Sequence, residues 1–474
     1  MTLLHDLTAL EQAQAIAARE VSSVELAEHY LARSQDYNAK LGAFITMTPE
    51  LALQQAQVAD EIVARTTDRS ELPVLHGVVV PVKDLNFVAG VHCTFGSKVF
   101  GITPPIDDYV VTRLRQGNTV LTGKTNTPEF GLAAYTENQV TNPARTPWDL
   151  SCSAGGSSGG AAAAVAAGLA PVAQGSDGGG SIRIPASVCG LVGLKTSRGR
   201  ISNGPIRDGV GDLGVNGPLA RTVADAAALL DVLSGHFADD PFVAPPLDPG
   251  QTFLGAARRD PAMLRIGRYC TPVITDCEVD PQCLAAYEQA STLLTELGHV
   301  VEDVPVPFTA DLAATFETIW SSLALLAPVP LEREPELMPL SQWLRARGRE
   351  VTGAELAGAA WALRNASRLA IKAHGAYDVI LTPALAQTPR LVGQLRNDDD
   401  PAADFEAQKR FTPFTAPYNM TGQPAISVPL YWTERGLPIG VQLVGRPFAE
   451  VTILSLAGQL ERAQPWAHRH PATW

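Results

Sequence analysis

The sequence predicts an α/β protein: a single large domain with a central mixed, twisted sheet covered by helices on both faces. Three observations carry this expectation. Short β-branched runs alternate with stretches of helical periodicity, the pattern that lays helices on the faces of a mixed or parallel sheet. Apolar residues make up 46% of the 474 positions and charged residues 18%, ample for a sizeable core and unlike a disordered chain. Between about 140 and 220 the chain is rich in Gly and Ser, yet apolar residues recur through it (SIRIPASVCGLVGLK), so it reads as buried backbone and not as a linker. Length alone would allow about three domains or one unusually large one. The alternation favours one.

Residues 8–38 carry helical periodicity, with Thr8 and Ser22 as N-caps, and 48–66 continue it from Thr48. Residues 1–70 therefore read as a helical segment packed on the core. LHGVVVPVKDL (75–85) is a short β-branched run ending in polar residues, which predicts a buried strand with Lys83 at its end. DDYVVTRLRQG predicts a helix, and NTVLTGKTN a strand running into a loop. AAAAVAAGLAPVAQGS predicts a closely packed helix of small residues and then a strand. TVADAAALLDVLSG (222–235) predicts a helix with Thr222 and Asp225 as a capping box. Residues 71–235 thus form the body of the core. Residues 236–375 are Pro-punctuated and mainly helical, and read as a variable region over the core that lines the substrate pocket. YDVILTPALAQTP and 423–445 return to strand texture, so 376–474 completes the core. There is no internal repeat.

The net charge of −13 leaves no electrostatic footprint for nucleic acid or an anionic membrane. The six cysteines (Cys93, Cys152, Cys189, Cys270, Cys277 and Cys283) are scattered, and no spacing among them suits zinc or a disulfide framework. They read as incidental thiols. The opening MTLLHDLTALEQAQ lacks the basic and apolar regions of a signal peptide, and no run reaches 18 apolar residues. The expectation is a soluble, cytoplasmic protein, monomer or homodimer, with no membrane or nucleic-acid partner.

Three motifs suggest chemistry and need weighing. GNTVLTGKT (117–125) resembles a phosphate-binding loop, but five residues separate Gly117 from Gly123 where the cradle needs four. GVGDLG (209–214) fits G-x-G-x-x-G, but no strand precedes it and Pro218 soon follows, which argues against a dinucleotide turn. GGSSG (155–159) satisfies the nucleophile elbow of α/β-hydrolases around Ser157. That reading needs a histidine, and His236, His299, His374, His468 and His470 are available downstream. A Ser-His-Asp esterase therefore stays open as an alternative. A better account takes GGSSGG (155–160) together with SDGGGSIR (176–183). Three glycines before Ser181 free the backbone to turn several N–H groups toward one point, which an oxyanion hole requires.

With these residues in view, the chain resembles the amidase signature enzymes. VPVKD, GGSSGG and GSDGGGSIRIP reproduce that family's strand-end Lys and its two Gly/Ser clusters, and the 24-residue step from Ser157 to Ser181 fits. GKTNTPEF (123–130), ASVCGLVGLK (186–195), GQPAISVP and LPIGVQLVGRPF match as well, so the likeness covers about 75–235 and 376–450. The resemblance implies the amidase signature fold and cleavage of C–N bonds through an acyl-enzyme on Ser181. It implies Ser157 as a bridging serine held by a cis peptide bond and Lys83 as the base. It implies an oxyanion hole from the backbone N–H groups of Gly178, Gly179, Gly180 and Ser181, supported by Ser158, Asp177 and Arg183. Neither cofactor nor metal is needed, and the histidines are bystanders. Two departures stand out: Gly178 replaces a larger residue, and Lys195-Thr196-Ser197 replaces the usual Lys-Pro-Thr.

A serine hydroxyl is a poor nucleophile until a base takes its proton. Lysine has a reference pKa near 10.4, so a mostly neutral amine at pH 7 needs that value lowered by more than about 3, roughly 4 kcal/mol. Burial at the end of an apolar strand can supply this. Without the motif, Lys83 would read as a surface lysine paired with Asp84. Within the family, SIRIPASVCGLVGLK, RGRIS and QPWAHRHP resemble bacterial aliphatic and nylon-type cyclic-amide hydrolases, with aryl acylamidases and urethane-cleaving enzymes nearby. The substrate expected with water is a small, fairly apolar amide: an anilide, a linear or cyclic amide, a carbamate or an ester. Phe130, Gly131 and Trp320 are candidate pocket residues, with Trp343 and Trp361 further aromatics that core packing would equally explain. A glutamine amidase subunit of an amidotransferase is a second alternative, against which the ending PWAHRHPATW speaks.

Overall fold

The computed structural model describes residues 3–206, 211–309 and 311–474. Its strands are β1 (Phe44–Met47), β2 (Val82–Lys83), β3 (Gly123–Thr125), β4 (Val172–Asp177), β5 (Val192–Lys195), β6 (Val215–Ala220), β7 (Arg265–Arg268), β8 (Val300–Asp303), β9 (Val379–Pro383), β10 (Ala425–Trp432) and β11 (Pro438–Gly445). Eight of them form one sheet in the order β4-β6-β5-β10-β11-β9-β7-β8. The β7–β8 and β7–β9 pairs are parallel and the others antiparallel, so the sheet is mixed. Because side chains alternate along a strand, the sheet has two buried faces. Val172 and Ala220 join one core with Ile426, Val441 and Leu443; their neighbours Ala173 and Leu219 join a second core with Ile182 and Ile184.

The segment 236–375 is mainly helical, but it also donates β7 and β8 to the sheet, which the sequence reading does not anticipate. The run before Lys83 also differs. Only Val82–Lys83 is strand, and it lies in a separate small sheet of order β1-β3-β2. Val78, Val79, Val80 and Val82 are nevertheless fully buried.

Thr8 and Ser22 cap the helices Ala9–Ala18 and Ser23–Leu41, each in a reciprocal box with Glu11 or Glu25. Thr222 caps Val223–Leu233 by accepting from the Asp225 N–H, but the box is only half made. The Asp225 carboxylate turns instead to the N–H groups of Ala9 and Leu10, at 3.2 and 3.1 Å. Among the described residues no helix is long and apolar enough to cross a membrane. The six cysteines are free thiols.

Candidate active site

Lys83 leaves the end of β2 fully buried. Its Nζ lies 2.8 Å from Ser157 Oγ, 3.1 Å from Ser176 Oγ and 3.3 Å from the Ser176 carbonyl oxygen. Asp84 is not the surface partner that the bare sequence suggests: its buried carboxylate accepts from Lys124 Nζ at 2.8 Å and from Thr94. Lys124, the lysine of the phosphate-loop look-alike, is thereby committed to an internal ion pair. For the dinucleotide look-alike, Gly209 and Val210 lie outside the described residues.

Ser157 follows a cis peptide bond from Gly156 and precedes the helix Gly159–Ala166. Ser158 stitches the two Gly/Ser clusters together. Its N–H donates to the Ser181 carbonyl at 3.1 Å, and its hydroxyl donates to the Ser176 carbonyl while accepting the Ser176 N–H.

Ser181 sits on the loop between β4 and the helix Arg183–Cys189. The residues on either side of it are tied to one carboxylate: Gly180 N–H and Ile182 N–H donate to Asp177 at 2.8 and 3.1 Å. The Gly180 N–H is taken by Asp177, which leaves Gly178, Gly179 and Ser181 as the candidate oxyanion donors. At Gly180 a side chain is also sterically barred, because φ is +136° and a Cβ would lie 2.3 Å from Thr415 Oγ1. Thr415 Oγ1 in turn donates to the Gly179 carbonyl at 2.6 Å.

Asp177 is itself held from all sides. Arg183 reaches it through Nε and Nη2, and Asn419 Nδ2 donates to Oδ1 at 2.8 Å. Burial pushes this carboxyl group up, but the Arg183 charge and its hydrogen bonds outweigh burial and hold it well below the usual carboxylate range. Arg183 spreads its remaining donors over Thr415 O, Gln442 Oε1 and Asn419 Oδ1. At the Lys195-Thr196-Ser197 departure both hydroxyls are engaged: Thr196 Oγ1 donates to Asn216 O, and Ser197 Oγ accepts from the Phe448 N–H.

Ser157, Ser176, Gly178 and Ser181 line a cavity of about 570 Å³ whose remaining wall is mostly apolar. Phe130, Gly131 and Trp320 line it, as the sequence suggests. Trp343 packs on Phe405 instead, and Trp361 is exposed at 71%. The sequence reading misses Phe87, Phe95 and Phe100, which stack in series at 5.5 and 4.4 Å along the cavity wall. It also misses Phe316, stacked on Trp320 at 5.2 Å; the four-residue helical spacing of the two was a usable signal. Among the described lining residues no histidine appears. His299 bonds Leu264 N–H and Gln459, and His374 is buried near Tyr269. His236, His468 and His470 are exposed. A Ser-His-Asp arrangement around Ser157 is therefore not formed by these groups.

Fold and site together define a hydrolase of amides, and the comparisons agree. The amidase family model matches residues 25–454. A 6-aminohexanoate-cyclic-dimer hydrolase of Paenarthrobacter ureafaciens is 36% identical, covering 99% of this chain and 97% of its own. An acylamidase of Rhodococcus erythropolis is 33% identical, covering 99% and 98%. A solved structure of 6-aminohexanoate cyclic dimer hydrolase with substrate superposes with a TM-score of 0.89 at 34% identity, over 99% of this chain and all of that one. The chain belongs to the amidase signature family.

Proposed function

We propose that this amidase cleaves small, fairly apolar amides through an acyl-enzyme on Ser181, with Lys83 as base and Ser157 as bridge. The observation that carries the reading is the 2.8 Å contact between Lys83 Nζ and Ser157 Oγ, both buried, with Ser157 at the wall of the cavity that Ser181 shares. In acylation Ser181 Oγ attacks the carbonyl carbon, its proton passes to Ser157, and the Ser157 proton passes to Lys83 Nζ. Negative charge gathers on the carbonyl oxygen, where N–H groups of Gly178, Gly179 and Ser181 are the available donors. The C–N bond then breaks as the relay returns the proton to the leaving nitrogen. Water repeats the sequence on the acyl-enzyme and releases the acid.

The wall chemistry supports an apolar substrate. Among the described lining residues Asp177 is the one ionisable side chain, and Arg183 neutralises it. A glutamine amidase would need partners for an α-ammonium and an α-carboxylate, and the described lining residues offer none. The named relatives, a cyclic-amide hydrolase and an acylamidase, fit the same substrate class.

The test combines labelling with kinetics. A fluorophosphonate should label Ser181, and Ser181→Ala should abolish both labelling and turnover. In the wild type kcat/KM should rise with pH along one ionisation. Lys83→Ala should remove that limb and lower the rate at least about 10²-fold, amides suffering more than esters because the departing amine needs a proton. Labelling at Ser157, or a pH limb that vanishes with a histidine substitution and survives Lys83→Ala, would overturn the reading.

A further inference from the structure

Ser181 faces two spaces of unequal size. One is the cavity of about 570 Å³ already described; the other is a narrow branch of about 60 Å³. Gly131, Leu132, Ser181 and Trp320 belong to both. Trp320 is fixed at this junction: its Nε1–H donates to Leu132 O at 3.3 Å, and Phe316 stacks on its other side. Its ring edge faces Gly178, where a Cβ would stand 3.4 Å from the indole, an ordinary van der Waals contact.

The two spaces also differ in what they offer. Ser157 faces the wide cavity, and among the described residues the narrow branch does not include it. Among the described residues the wide cavity carries the Phe87–Phe95–Phe100 stack and no uncompensated charge. Gly179, Phe316, Phe405 and Lys409 also line the narrow branch, and the Lys409 ammonium is held by Glu317 and Glu406. A bound water takes about 10–15 Å³ of such space. On that scale the branch suits a short chain of a few heavy atoms.

We propose that Trp320 partitions the site so that the acyl group enters the narrow branch and the amine enters the wide cavity, which selects amides joining a short acyl group to a bulky apolar amine. The assignment rests on the relay proposed above, because the leaving nitrogen must meet the proton carried by Ser157, and Ser157 faces only the wide side. The acyl carbon, bonded to Ser181 Oγ, then directs its chain along Gly179 into the branch. Acyl chains that outgrow the branch lose at least about tenfold in kcat/KM, the scale of one methylene that does not fit an apolar pocket.

The experiment measures kcat/KM of the full chain on acetyl, butyryl and octanoyl 4-nitroanilides and on butyramide. The wild type should favour the butyryl over the octanoyl 4-nitroanilide by at least about tenfold, and should cleave the butyryl 4-nitroanilide faster than butyramide. Trp320→Ala should bring the two anilides to within about threefold, while the ratio between amines stays in place. Phe405→Ala, placed away from Ser181 along the branch, should extend acyl tolerance in the same direction and covers the case in which Trp320→Ala does not fold. Preference for the octanoyl anilide, or variants that alter amine selectivity and leave acyl selectivity unchanged, would overturn the partition while leaving the relay standing. Failure of every amide together with an unlabelled Ser181 would bring down the relay, and the partition with it.

Discussion

Arg183 meets Asp177 through two hydrogen bonds, Nε to Oδ2 at 3.0 Å and Nη2 to Oδ1 at 2.9 Å, with both side chains fully buried. The pair does more than neutralise itself, since the same carboxylate holds the N–H groups on both sides of Ser181. Removing the guanidinium leaves an uncompensated buried charge, which costs about 3–5 kcal/mol. Arg183→Met is expected to lose that much in denaturant unfolding and to lose turnover as the loop relaxes. Arg183→Lys should not rescue it, because one ammonium cannot reproduce a planar fork spread over Asp177, Thr415, Gln442 and Asn419. A lysine variant with wild-type stability would show that charge alone matters here.

Ser176 is expected to act as a positioning residue for Lys83. Its hydroxyl lies 3.1 Å from Nζ, and its carbonyl is shared between Nζ and Ser158 Oγ. Ser176→Ala removes one of these contacts and leaves the backbone ones in place. The expected result is a fall in kcat of about tenfold, the scale of one lost hydrogen bond of about 1.4 kcal/mol, with KM little changed. The pH profile of kcat should move as well. A change confined to thermal stability would reduce Ser176 to a packing role.

Asp225 links the first helix to the domain body. Its oxygens accept from Ala9 and Leu10 N–H, while its own N–H satisfies Thr222 Oγ1. Asp225→Ala should cost about 1–2 kcal/mol, as losing a helix cap does, with some relief because burial raises the pKa of this carboxyl group. Hydrogen exchange should localise the loss to residues 9–18. Uniform destabilisation with no local opening would count against the link.

This link also marks where the sequence stops being legible. Thr222 and Asp225 have the spacing of a capping box, but spacing within a helix cannot reveal a partner 215 residues away. The Gly/Ser clusters and Lys83 could be read because local chain requirements, free backbone and a buried strand end, leave a compositional trace. Phe95, Phe100 and Leu326 could not, since they reach the cavity from loops with no periodicity. β7 and β8 were hidden for a similar reason. RIGR and VVED lie toward one edge of the sheet, are only partly buried and lack an apolar run.

His374 gives the last prediction, about acid. It closes the helix Gly353–Ala373, is 4% exposed and packs near Tyr269, and burial lowers its pKa from 6.5 to about 4. The folded protein thus refuses a proton that the unfolded chain binds once the pH falls below about 6.5. The stability due to neutral His374 is full above that value, declines as the pH drops toward 4, and is then exhausted. The loss is up to about 3 kcal/mol for this residue. His5, lowered to about 4 by burial first and then by Arg33, adds a trend of the same sign, so only a comparison isolates His374. His374→Phe keeps a ring of similar size and removes the titration. Its unfolding free energy should therefore fall less between pH 7 and pH 4.5 than that of the wild type. Parallel curves over that range would mean that His374 is protonated in the folded state at no cost, and the burial argument would fail.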